Sequence, residues 1–111
     1  MELILHQQKN VNVIELSGSF DIYNASKVRS CMDQVALELP VNIVVDLAQV
    51  DFIDSTALAT LIHGKKIARE NQGDIRLSGL RQPVRMVFEL TRLDKVFEIL
   101  GNQEEAIQAF S

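Results

Sequence analysis

Val41-Asn42-Ile43-Val44-Val45-Asp46-Leu47 is the stretch that decides the fold. It is β-branched and almost continuously apolar, the pattern of a strand covered on both faces, so it reads as the middle of a sheet. Ala48 to Asp54 reads as a loop after it. A helix is then expected from Ser55 to about Asn71, with Leu58, Leu61, Ile62 and Ala68 facing inward and Gln72-Gly73 closing it. A serine is thus expected at a strand-to-helix junction beyond the carboxyl end of a central strand, where ligands and partners collect in α/β sheets.

Working back toward the N-terminus, Leu3 to Gln8 and Val11 to Ser17 are short strand-like runs separated by Lys9-Asn10, which suits a hairpin or a tight strand connection. Gly18 to Tyr23 reads as a loop. Asn24 is placed to cap a helix in which Val28, Met32, Val35 and Leu39 form one stripe, ending near Pro40. Toward the C-terminus, Asp74 to Gly79 gives another strand. A short helix follows Pro83 and carries Val84, Val87 and Phe88, with proline near its start where the missing N–H costs little. Lys95 to Leu100 is the final strand. Glu104 and Glu105 favour the first turn of a terminal helix that Ala106, Ile107 and Phe110 could dock. Strands alternating with helices predict an α/β layer on a partly parallel sheet, with the first two strands as an antiparallel margin.

The 111 residues suit one domain spanning 1–111, long enough to fold without disulfides or a structural metal. With 47% hydrophobic and 23% charged residues the chain is expected to be globular rather than disordered. Eleven basic residues scattered among 15 acidic ones give a net charge of −4, which argues against nucleic-acid binding. Cys31 has no partner for a disulfide and reads as a buried small residue in a reducing compartment. The first residues show neither a basic leader nor a long apolar core, so no membrane insertion is expected and the place is read as cytoplasmic.

Ser55 is suited to cap its helix by accepting from the N–H of Ala57 or Leu58. The small residues Thr56, Ala57 and Ala59 around it leave the hydroxyl reachable, and a helix N-terminus accommodates an added phosphate. Physical chemistry therefore leaves two readings open, an ordinary cap and a cap that is modified.

The segment Val44-Val45-Asp46-Leu47-Ala48-Gln49-Val50-Asp51-Phe52-Ile53-Asp54-Ser55-Thr56-Ala57-Leu58, with Leu16 to Asp21 upstream, resembles the STAS domain of bacterial anti-sigma factor antagonists. Pro83 to Phe97 is similar to the family's third helix and last strand, so the likeness runs nearly end to end. The resemblance implies a four- or five-stranded mixed sheet with helices packed against it, and a partner switch. In such switches the unmodified antagonist binds an anti-sigma factor, freeing a sigma factor for transcription. The anti-sigma factor is often also a serine kinase that phosphorylates the serine after the motif aspartate, and a metal-dependent serine phosphatase resets it. By motif position the phosphorylated residue is Ser55. Asp21 matches the family's loop aspartate and Asp54 its motif aspartate, so Asp21, Asp54, Ser55, Thr56 and Ala57 are the expected partner-binding residues. Ala57 and Ala59 stand where the family commonly has glycine, adding methyls near the serine. The other reading of the resemblance is a constitutive STAS scaffold or transporter-associated subunit in which Ser55 is only a cap.

No catalytic residue, metal site or cofactor is expected. Asp46 ends a strand as a response regulator's phospho-acceptor does, but the first strand offers no acidic metal ligands. Asp51 and Asp54 alone are a weak metal signal. A serine hydrolase would need Gly-x-Ser-x-Gly and a nearby base, whereas His63 lies eight residues on, about 12 Å from Ser55 by helical rise. His6 is expected to face solvent or a partner. Met86, Phe88, Phe97 and Phe110 read as core or docking residues.

Overall fold

A hairpin opens the chain in the computed structural model, which describes residues 1–110. Its strands are β1 (Glu2–Gln8) and β2 (Val11–Phe20), paired antiparallel from Glu2↔Ser17 to Gln8↔Val11. Lys9 and Asn10 make the two-residue turn with φ of 54° and 65°, the left-handed pair that matches strand twist. There follow α1 (Ala25–Val35), β3 (Asn42–Ile53), α2 (Ser55–Glu70), β4 (Asp74–Ser78), α3 (Gln82–Leu90), a 3-10 turn (Leu93–Lys95), β5 (Glu98–Leu100) and α4 (Gln103–Gln108). Ser111, the last residue of the domain expected over 1–111, lies outside the described residues.

The five strands lie in the order β1-β2-β3-β4-β5, with every neighbour after the hairpin parallel. A polar residue at every second position is unnecessary in β3 because both its faces are covered. Ile43, Val45 and Leu47 pack with Ile14, Met32, Leu61 and Phe88 on one side, and Val44 packs with Val11, Val13, Ala106 and Ile107 on the other. Phe88 meets Phe97 edge to face at 6.0 Å.

Of the two expected loops, the one over 48–54 is almost wholly strand and the one over 18–23 is strand in its first half. Residues 48–53 continue β3, and residues 18–20 continue β2 to the pair Phe20↔Ile53. The register slips between Glu15 and Ser17 and again between Gly18 and Ser19, each time leaving an extra residue on β3. These bulges place the buried Leu47, Val50 and Ile53 three residues apart, which hides the alternation of a strand. Asp46 Oδ1 accepts the Ala48 N–H at 2.9 Å and satisfies an amide beside the first bulge. Gly18, at φ 92°, carries β2 through its own irregularity.

Other expectations shift at element ends. Helix α1 stops at Val35, and Leu39 is exposed rather than part of the stripe. Ile62 is likewise exposed, since α2 buries Ala57, Leu58, Leu61, Gly64 and Ala68 instead. Residues 95–97 are not strand, because the chain first makes the 3-10 turn and Phe97 turns into the core. Met86 is half-exposed on α3. Cys31 is half-buried against the core, and burial pushes its thiol pKa up, which keeps it protonated and unreactive. Among the described residues no helix is long and apolar enough to cross a membrane.

Candidate functional site

Asp54 is the residue that leaves β3 and starts α2. Its backbone is extended and its Oδ1 accepts the Ala57 N–H at 2.9 Å, so Asp54, not Ser55, caps the helix. The reason is geometric: the cap must have non-helical backbone, and Ser55 is already the first helical residue. The second oxygen, Oδ2, accepts the N–H of Ile22 at 2.9 Å, and the Asp54 N–H donates to Phe20 O at 3.3 Å. One residue therefore binds the β3–α2 junction to the loop between β2 and α1.

That loop is ordered by its own polar groups. Asp21 Oδ1 accepts the Tyr23 N–H at 3.0 Å, and Asp21 O accepts the N–H groups of Asn24 and Ala25. Asn24, expected to cap α1 with its side chain, braces the loop instead. Its Oδ1 accepts from Asp21 N–H at 2.9 Å and its Nδ2 donates to Ser19 O at 2.7 Å. The loop and the junction, whose meeting the sequence leaves open, are in direct contact.

With the cap supplied by Asp54, the Ser55 hydroxyl is free. Ser55 is exposed, and no described residue hydrogen-bonds its side chain. Ala57 is 0% exposed, so its methyl fills the core and cannot crowd a partner; its side chain is no part of the surface expected to include it. Ala59 is exposed and lines a groove of about 260 Å³ between α1 and α2 with Ile22, Ala25, Ser26, Arg29, Thr56 and Thr60. Thr60 donates its hydroxyl to Thr56 O at 3.1 Å, which is a helix-internal bond.

Sequence reasoning passed over the apolar side chains at this site. Ile22 is 62% exposed and Tyr23 92% exposed, and Phe52, two residues before Asp54 near the end of β3, is 53% exposed. The available signal was an apolar Ile22-Tyr23 pair inside a loop otherwise rich in turn residues. His63 pairs with Asp33 across the two helices at 2.8 Å, Asp46 is engaged by Gln103, and His6 holds Glu15 at 3.0 Å; none of these reaches Ser55. Among the described residues no three His, Cys, Asp or Glu side chains gather in a way that could hold a metal ion.

The STAS domain family matches residues 2–106. An anti-sigma-B factor antagonist of Listeria monocytogenes is 30% identical over 92 residues, 83% of this chain and 81% of that protein. The crystal structure of an anti-sigma factor antagonist from Mycobacterium paratuberculosis superposes with a TM-score of 0.88 at 24% identity, over 98% of this chain and 92% of that one. The Bacillus cell fate determinant SpoIIAA, in its phosphorylated form, superposes with a TM-score of 0.77 at 20% identity, over 99% of this chain and 100% of that one. At such identities the two structures establish a common fold.

Proposed function

We propose that this chain, which belongs to the STAS domain family, is a cytoplasmic anti-sigma factor antagonist: a binding module that holds an anti-sigma factor when unmodified and releases it when Ser55 is phosphorylated. The observation that carries the reading is the free, exposed Ser55 hydroxyl at the first helical position beside a cap that another residue supplies. A serine that capped its own helix would already have its hydroxyl oxygen engaged by a backbone N–H. Here the cap is Asp54, so a phosphate can be added without undoing the helix start.

The surface around Ser55 suits a protein partner. Ile22 and Tyr23 present apolar area at a fixed place because Asp54 and Asn24 hold their loop. Exposed aromatic and aliphatic side chains on a rigid frame are the usual anchors of protein interfaces. Asp21, Asp54, Ser55 and Thr56 supply the polar part, and Ala57 supports it from the core.

Phosphorylation adds about −1.5 to −2 charges beside Asp54. The helix N-terminus offsets part of that charge within the free protein. A partner that covers the site must strip water from the phosphate, so the complex weakens while the free chain tolerates the change. A tenfold to hundredfold loss corresponds to roughly 1.4–2.7 kcal/mol. The partner in this reading is an anti-sigma factor that is itself the serine kinase, with a metal-dependent serine phosphatase restoring the unmodified form. The chain is then the substrate of that chemistry and not its catalyst, and residues 1–111 act as one domain.

Titrating the cognate anti-sigma factor against the parent, Ser55→Ala and Ser55→Asp tests this. Parent and Ser55→Ala should bind alike, and Ser55→Asp at least about tenfold more weakly. Equal binding by all three removes the switch from Ser55.

A further inference from the structure

The first strand leaves an open sheet edge. β1 is seven residues long, pairs only with β2, and carries no proline, no lysine and no bulge to blunt that edge. At the opposite edge β5 has three residues. The two-residue turn makes Gln8↔Val11 a hydrogen-bonded pair, so Gln8, His6, Ile4 and Glu2 direct their backbone groups to β2. The N–H and C=O groups of Leu3, Leu5 and Gln7 therefore point out of the sheet.

From this edge we infer that the chain self-associates through β1, two copies pairing antiparallel about a two-fold axis at Leu5 to make one continuous ten-stranded sheet. In that register Leu5 faces the partner's Leu5, and Leu3 faces the partner's Gln7. All three outward residues of each copy then donate and accept.

The side chains suit a second copy on both faces. On the α1 face Leu5, 43% exposed, borders a groove of about 370 Å³ lined also by Val35 and Leu37, where the partner's Leu5 can settle. On the α4 face Ile4 and Glu2 border a recess of about 190 Å³ whose rim includes the carboxylates of Glu2, Glu15 and Asp46. The same register brings the partner's His6 across from Ile4 and beside Glu2, and the partner's Lys9 next to the end of β1. Each His6 is already bonded to Glu15 of its own copy at 3.0 Å, so the partner's Lys9 is the basic group left to face the exposed Glu2. One added strand covers less than the about 800 Å² per partner of a standard stable interface, so the contact is a reversible monomer–dimer exchange.

Amide hydrogen exchange at low and high protein concentration, with sedimentation velocity over the same range, tests this. The amides of Leu3, Leu5 and Gln7 should slow as concentration rises, while those of Ile4 and His6, already bonded to β2, should not change. Leu5→Pro removes an outward N–H and leaves the β1–β2 ladder intact, and Leu5→Lys sets like charges across the axis; both should stay monomeric with unchanged circular dichroism. A parent that sediments as a monomer throughout, as it would if the edge served a different protein's strand, overturns the inference. So does a dimer that persists in Leu5→Lys, or slowed amides located elsewhere.

Discussion

One carboxylate, that of Asp54, joins the N–H of Ile22 to the N–H of Ala57, 2.9 Å to each. The loop that carries the exposed Ile22 and Tyr23 is thereby registered against the helix that carries Ser55. Asp54→Ala should cost about 1–3 kcal/mol in chemical denaturation, from a lost cap and a lost loop bond. Asp54→Asn keeps one accepting oxygen and should cost less. In both variants the Ile22 amide should exchange faster; equal losses, or an unchanged Ile22 amide, would show that the carboxylate does not join the two segments.

The apolar anchors separate binding from stability. Tyr23→Ala and Ile22→Ala should each weaken the anti-sigma factor complex by about 1–3 kcal/mol. Because both side chains already face water, the denaturation midpoint should hardly move. A drop in stability equal to the drop in affinity would assign these residues to the fold instead.

Two glycines predict a graded packing response. A methyl at Gly73 would fall 1.9 Å from Val41 O, a backbone atom, whereas one at Gly64 would fall 2.8 Å from Met32 Sδ, the end of a flexible side chain. Gly64→Ala should cost about 1–2 kcal/mol and be partly relieved by Met32→Leu. Gly73→Ala should cost more and find no such relief. Thermal unfolding of the three variants decides the order.

Glu15 links β2 to α4. Hydrogen bonds from Gln103 and then His6 hold its carboxyl below the ordinary glutamate pKa, against a smaller opposing effect of burial. A depressed folded pKa means the stabilisation is complete above the unfolded value and is lost as pH falls through the folded one. Gln103→Ala should therefore raise the Glu15 pKa in a carbon-13 NMR titration and shift the acid limb of unfolding to higher pH. An unmoved titration would show that the Gln103 bond does not form in solution.

The periodic parts of the chain were legible in its sequence, and the irregular parts were not. The hairpin, the strand 42–47, α2 and the docked α4 follow from alternation, β-branching, spacing and charge at helix starts. The second half of β3 was hidden because two bulges put Leu47, Val50 and Ile53 at spacing three. The exposed place of Ser55 at the start of α2 was legible from its position, yet its role as cap was misassigned, since a cap is chosen by backbone angle and Asp54 is the residue with extended backbone. Ile22 and Tyr23 escaped notice because an apolar loop residue carries no periodic signal until a distant carboxylate is seen to hold its amide.

That Ser55 is the phosphorylated switch is the central claim. Incubating the chain with its cognate anti-sigma serine kinase and ATP, then mapping the product by mass spectrometry and re-measuring kinase binding, addresses it most directly. The expected result is one phosphoryl group on Ser55, none in Ser55→Ala, and a modified protein that no longer holds the kinase. Modification confined to Thr56 or another residue, or a Ser55-phosphorylated chain that binds as tightly as before, would contradict it.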